Sequence, residues 1–264
     1  METWIAVIIL GIIEGITEFL PVSSTGHLLI AGHWLSPRSD LFNIVIQSGA
    51  VLAVLPLFPE RLRQFFFEWR RRSTQVYLLK IAVAFGITGI GGLFLHSRGF
   101  ELPETLGPVA WALLIGGIAF ILVEKRLQGR PVHTDITWMV VLAVAVGQLI
   151  AAVFPGASRS GSTILLMLLL GVSRPAATEF SFLVGIPTML AAGGLKIYSA
   201  LVHPPIDALP EDWGMVLLGF VVSAGVSFIA VGWLLRFIQT HTFIVFGWYR
   251  IAVAGVLGAL FLFQ

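Results

Sequence analysis

Two glutamates, a histidine and an arginine set among serines carry the reactive chemistry of this chain. Glu14 and Glu18 are four residues apart, so a helix brings both carboxylates to one face. Such a pair suits a hard divalent cation, Mg²⁺ or Ca²⁺, that takes oxygen ligands and substrate phosphates. By mutual repulsion it can instead hold a proton for general acid or base work. Pro21-Val-Ser23-Ser24-Thr25-Gly-His27 follows directly. Its hydroxyls cap the start of a helix, whose free N–H groups and dipole attract an anion. Pro155-Gly-Ala-Ser158-Arg159-Ser160-Gly-Ser-Thr163 repeats that logic with a fixed cation, and arginine's planar fork grips phosphate oxygens in pairs. Together these groups form a kit for binding phosphate and transferring it.

The elements around them are made for lipid. The chain has 264 residues, 57% hydrophobic and 11% charged, against about 25% charged in a globular domain, so it is an integral membrane protein. At roughly 20 residues per span there is room for about six to eight crossings and for no separate soluble domain. An ionisable group at membrane depth costs about 2.5–3.5 kcal/mol, which makes Glu14, Glu18, His27 and Arg159 functional candidates by default. A net charge of +2 with the arginines confined to a few stretches argues against a nucleic-acid surface, and the absence of cysteine excludes disulfides, thiolate metal sites and cysteine-phosphatase chemistry. No basic n-region or small-residue cleavage site marks a removable signal peptide at the start.

Uninterrupted spans are expected at 41–58, 75–95, 106–123, 176–202, 214–238 and 243–263. Two further apolar regions, 4–35 and 137–172, are broken by the polar motifs, and a proline with small hydroxyl residues at the break predicts a re-entrant hairpin of two half-helices in each. Stretch 59–74 carries five arginines from Arg61 to Arg72, and stretch 124–136 carries Lys125, Arg126 and Arg130, whereas 203–213 holds only Asp207, Glu211 and Asp212 as charged residues. The positive-inside rule puts the two basic stretches in the cytoplasm and the acidic one outside. The expected fold is therefore an all-α polytopic membrane protein of six transmembrane helices plus two re-entrant hairpins. It is a single domain over 1–264, with repeat 1 at about 1–123 and repeat 2, inverted, at about 137–264. Phe42-Asn-Ile-Val-Ile-Gln47 parallels Phe180-Ser-Phe-Leu-Val-Gly185 in the two halves.

At these motifs the chain resembles the bacitracin-resistance family of undecaprenyl-diphosphate phosphatases. Glu14-x-x-x-Glu18 with Phe-Leu-Pro-Val-Ser-Ser-Thr-Gly-His27 matches one family motif; Pro155-Gly-x-Ser-Arg159-Ser-Gly-x-Thr163 matches the other, followed by Gly171-Val-Ser-Arg-x-x-Ala-x-Glu-Phe-Ser-Phe182. The resemblance implies an enzyme that removes the terminal phosphate of a C55 isoprenoid diphosphate embedded in membrane lipid. Its product is the carrier used in peptidoglycan synthesis, and abundance of the enzyme confers bacitracin resistance. It also implies dependence on a divalent metal and a site facing the outer, periplasmic side of the bacterial cytoplasmic (inner) membrane. Glu14 and Glu18 are then the metal carboxylates; Ser23, Thr25, Ser158, Arg159, Ser160 and Thr163 bind phosphate; Glu18, Ser24, His27 and Arg159 are catalytic. The attacking group is left open among Ser24 activated by Glu18 or His27, His27 itself, and a metal-held water. Oligomeric state is equally open, a homodimer included. A Pro-Ser-Gly-His acid-phosphatase scheme cannot operate, since no histidine follows Arg159 within ten residues and no lysine precedes the first motif. The competing class is a transporter or flippase of an anionic polyprenyl phosphate lipid, because broken helices in inverted repeats are also transporter architecture.

Overall fold

Proline, glycine and serine stop the apolar runs where the motifs lie, and the helices end there. A computed structural model describes residues 3–35, 38–99, 105–202 and 212–262. Eleven α-helices run through the described residues: α1 (Thr3–Thr17), α2 (Ser24–Gly32), α3 (Asp40–Val54), α4 (Pro59–Phe67), α5 (Arg72–Ser97), α6 (Leu106–Leu127), α7 (Trp138–Val153), α8 (Arg159–Leu169), α9 (Arg174–Val202), α10 (Trp213–Phe237) and α11 (Ile244–Leu262). Among the described residues α5, α6, α9 and α10 are long and apolar enough to cross a membrane, and five spans result if α3 and α4 count as one bent pair. This is a multi-pass membrane protein.

The expected spans 41–58 and 243–263 correspond to the shorter helices α3 and α11. A single 3₁₀ turn, Leu55–Leu57, and Pro59 at the head of α4 turn the chain by 82° there, as proline removes a helical donor and suits a first turn. Arg61 and Arg63 therefore lie on a short helix, not in a loop. Asp207 and Glu211, used above to orient the chain, lie outside the described residues; Asp212 caps α10 by accepting from the N–H groups of Gly214 (3.0 Å) and Met215 (3.2 Å).

Helix packing follows a pattern in which the two halves exchange places. α1 packs on α10 as α7 packs on α5, α3 packs on α10 as α9 packs on α5, α6 lies along α11, and α3 meets α9. Phe19, Phe120, Phe180, Phe182 and Phe243 are wholly buried in the core, while Ile90, Ile115, Leu217 and Ile229 stand exposed on the lipid-facing side of long helices. The chain entering α7 and the chain leaving α8 lie side by side: His133 N–H donates to the Gly171 carbonyl (3.0 Å), and Ser173 N–H donates to the His133 carbonyl (2.8 Å).

Two ion pairs brace the helix ends. Arg174 donates twice to the fully buried carboxylate of Glu124, from Nε (2.9 Å) and Nη2 (2.5 Å), and Phe243 N–H donates to the same group at 2.8 Å. Arg61 Nε meets Glu179 Oε1 at 2.7 Å, and the Tyr77 hydroxyl donates to that oxygen at 3.3 Å. Arg174 and Glu179 are thus each paired, with different partners.

Candidate active site

Both broken segments end in the same unusual way. Ser23 and Ser158 adopt φ of 71° and 66°, and no other non-glycine among the described residues has positive φ. Such backbone costs about 1–3 kcal/mol and persists only where surroundings enforce it. Each serine is the N-cap of the half-helix that follows, its Oγ accepting from Gly26 N–H (3.5 Å) or Gly161 N–H (3.1 Å). Ser24 and Arg159 consequently occupy the first position of α2 and of α8. The two helix starts face one cavity of about 180 Å³, lined by Glu18, Ser23, Ser24, Thr25, Gln47, Ala151, Pro155, Gly156, Ser158 and Arg159. Two helix N-termini directed at one cavity favour an anion there.

Within it, Glu18 is the hub. Its Oε2 accepts from the Ser24 hydroxyl at 2.8 Å and from Gln47 Nε2 at 3.2 Å, while Oε1 lies 3.7 Å from Arg159 Nη2. A hydroxyl that donates to a carboxylate has a proton acceptor at hand. The ion pair of Arg159 with Glu18 does not saturate the arginine. Nη1 donates to the Ser181 carbonyl (3.4 Å), the guanidinium lies 5.3 Å over the Phe19 ring, and the buried Nε and Nη2 make no hydrogen bond. Those donors match the oxygens of a phosphate. Gly185 on α9 leaves the room: a β-carbon there would collide with the guanidinium.

The other candidates divide. Ser23, Thr25 and Ser158 line the cavity. Ser160 and Thr163 are buried and spent on packing: the Ser160 hydroxyl donates to the Leu20 carbonyl (3.3 Å), joining the two hairpins, and Thr163 Oγ1 lies 2.6 Å from Ser181 Oγ. His27 is not among the lining residues. Its Nδ1 is 2.7 Å from the Ser23 carbonyl, so that nitrogen carries hydrogen, and its Nε2 is 2.8 Å from the Tyr249 hydroxyl. With both nitrogens engaged, His27 orients the start of α2 in this arrangement.

Glu14 is buried on α1 one turn before Glu18, and its Oε2 has no hydrogen-bond partner. Among the described residues there is no cluster of three or more His, Cys, Asp or Glu that would hold a metal by itself. An unpartnered carboxylate oxygen beside a second carboxylate nevertheless fits a hard cation that draws its remaining ligands from a phosphate substrate. Sequence reasoning missed Gln47, Tyr249 and Arg250. Arg250 interrupts the apolar run of α11 and was visible as an ionisable group at membrane depth.

The fold and site define a polytopic membrane protein with a polar cavity between two helix N-termini. Residues 7–256 match the family described as bacitracin resistance protein BacA, and the chain belongs to that family. It is 53% identical to the undecaprenyl-diphosphatase of Rhizobium etli over 250 residues, covering 94% of this chain and 93% of that one. A protein of the same name from Xylella fastidiosa is 49% identical over 95% of each chain, and one from Xanthomonas oryzae pv. oryzae is 48% identical over 97% of each.

Proposed function

We infer that this protein hydrolyses undecaprenyl diphosphate to undecaprenyl phosphate and inorganic phosphate. It thereby recycles the lipid carrier for cell-wall synthesis and confers bacitracin resistance. The observation that carries the reading is the Ser24–Glu18–Arg159 constellation between two helix N-termini, in a chain about half identical to proteins named for this activity. Phosphoryl transfer asks a protein mainly to position groups and neutralise charge. Arg159 and the N–H groups opening α2 and α8 hold the terminal phosphate. Ser24 Oγ attacks its phosphorus, the hydroxyl proton passes to Glu18, and the P–O bond to the lipid phosphate breaks; undecaprenyl phosphate takes that proton from Glu18 as it leaves, which restores the carboxylate. Water, deprotonated by the same carboxylate, then releases phosphate from Ser24. Ser24 is preferred to His27 because it alone of the two lines the cavity and already donates to a carboxylate. Glu14 and Glu18 would hold a divalent cation, which supplies further neutralisation of diphosphate charge when bound.

The arrangement proposed for the membrane is six crossings and two re-entrant hairpins in inverted halves, in the cytoplasmic membrane with the cavity opening outward. The exchanged packing of the halves supports it, as do the matched backbone of Ser23 and Ser158 and the pairing of His133 with Gly171 and Ser173, which returns the second hairpin to its own starting level. The test is phosphate release by purified protein in detergent, with and without chelator, followed by trapping and mapping of a phosphorylated residue. No release from undecaprenyl diphosphate refutes the activity; label on His27 refutes Ser24 as the attacking group.

A further inference from the structure

Breaking a helix at membrane depth strands backbone carbonyls where no water can reach them, and something must satisfy them. Arg250 does so for both breaks at once. It is wholly buried on α11. Nη1 donates to the Pro21 carbonyl (3.2 Å) in the first break, and Nη2 donates to Gly156 (3.2 Å) and Ala157 (3.1 Å) in the second. Nη2 and Nε also reach the Ala112 (3.2 Å) and Leu113 (3.5 Å) carbonyls on α6. None of these five acceptors is a carboxylate. A charge this buried is normally paired, so a guanidinium compensated only by carbonyl dipoles is held for its geometry: five donors in a rigid fork, which no other side chain offers.

Its surroundings are shaped to it. A β-carbon at Gly116 on α6 would collide with Nη2, and one at Gly161 on α8 would come to 3.0 Å from Nη1. The preceding residue, Tyr249, holds His27 at 2.8 Å with the two rings 7° from parallel, which fixes the first turn of α2. Adjacent residues of α11 therefore grip the hairpin that presents Ser24 and the turn that presents Arg159.

We propose that Arg250, assisted by Tyr249, is a positioning residue of the reaction: it fixes the two hairpin turns relative to each other and so sets the separation of Ser24 and Glu18 from Arg159. Arg250 touches no reacting atom. This rests on the phosphatase reading, but its central readout does not need the substrate. Full-length Arg250→Lys, Gly116→Ala and Tyr249→Phe would be purified in detergent. Each would be measured by hydrogen–deuterium exchange, by thermal unfolding, and by kcat and KM for phosphate release from undecaprenyl diphosphate. Arg250→Lys keeps the charge but cannot reach both turns, and Gly116→Ala keeps the arginine but displaces it. Both should lower kcat about 100-fold, the usual effect of a misplacement of about 1 Å, with KM changed less than about threefold. Exchange should rise in peptides covering 18–26 and 154–162 and stay unchanged in α5 and α10. Tyr249→Phe should raise exchange in 18–26 alone, with a loss of up to about tenfold in kcat. The proposal is overturned if Arg250→Lys and Gly116→Ala keep kcat within twofold. It is also overturned if kcat falls while both turns exchange as in the wild type, or if exchange rises throughout the protein. A wild-type protein that releases no phosphate defeats the phosphatase reading alone, because turn exchange still reports the clasp.

Discussion

Adding one methyl group behind Arg159 should silence the enzyme without removing a polar atom. Gly185 lies on α9 against the Arg159 guanidinium, and the β-carbon of an alanine would overlap Nη1. Restoring an ordinary contact of about 3.5 Å moves the guanidinium by about 1.5–2 Å. A misplacement of 1 Å costs on the order of 100-fold in rate, and losing a charge-assisted bond to the phosphate costs about 1.5–3 kcal/mol. Gly185→Ala should therefore lower kcat/KM for undecaprenyl diphosphate by at least about 100-fold, read as phosphate release in detergent. Arg159→Lys should fall by at least about tenfold, since a point charge replaces the fork. Gly194→Ala, on the same helix with nothing within 4 Å of its β-carbon, is the control and should leave activity unchanged. A Gly185→Ala enzyme within threefold of wild type would show that Arg159 does not bind the transferred phosphate from this position.

Ser24→Ala should lose several orders of magnitude in turnover, as removal of a nucleophile does. Ser23→Ala, which removes a cap worth about 1 kcal/mol, should cost far less; equal losses in kinetic assays would place the attack elsewhere. Glu18→Gln should lower turnover by at least about 100-fold, and Glu14→Gln should shift the metal concentration giving half-maximal activity; wild-type metal titrations of both would make the carboxylates structural. Single cysteines replacing Phe66 and Arg130 should label from one side of the membrane and a cysteine replacing Trp213 from the other; same-side labelling of all three would end the inverted arrangement.

Lipid made the motifs legible. Against a chain built for hydrocarbon, Glu14, Glu18 and Arg159 stand out by type alone, and prolines at the breaks announce half-helices. Capping by Ser23 and Ser158 followed from residue type beside an apolar run. Orientation around a helix did not follow. Ser160 and Thr163 read as phosphate ligands because they neighbour Arg159, yet the packing of α8 on α9 turns Thr163 to Ser181 and the meeting of the hairpins turns Ser160 to Leu20. His27 read as catalytic because it stands beside the glutamates and the serines in sequence. Its hydrogen-bonding partner, Tyr249, is 222 residues away and reaches it only through the fold. The short helix α4 was hidden for a different reason: the apolar run ends at Phe58, and Glu60, Arg61 and Arg63 after Pro59 read as a loop.

Arg250 also orders events in time. A ribosome completes both broken segments before α11 emerges, so until then the Pro21 and Gly156 carbonyls lack the donor that Arg250 provides. Glu14, Glu18 and Arg159 are then already synthesised, before the clasp proposed for Arg250 exists. Insertion of α11 against α6 delivers the guanidinium to both turns in one step. On the role proposed for Arg250, competence arrives with α11 rather than accumulating along the chain, and a product truncated before Arg250 should keep every motif residue and still be inert.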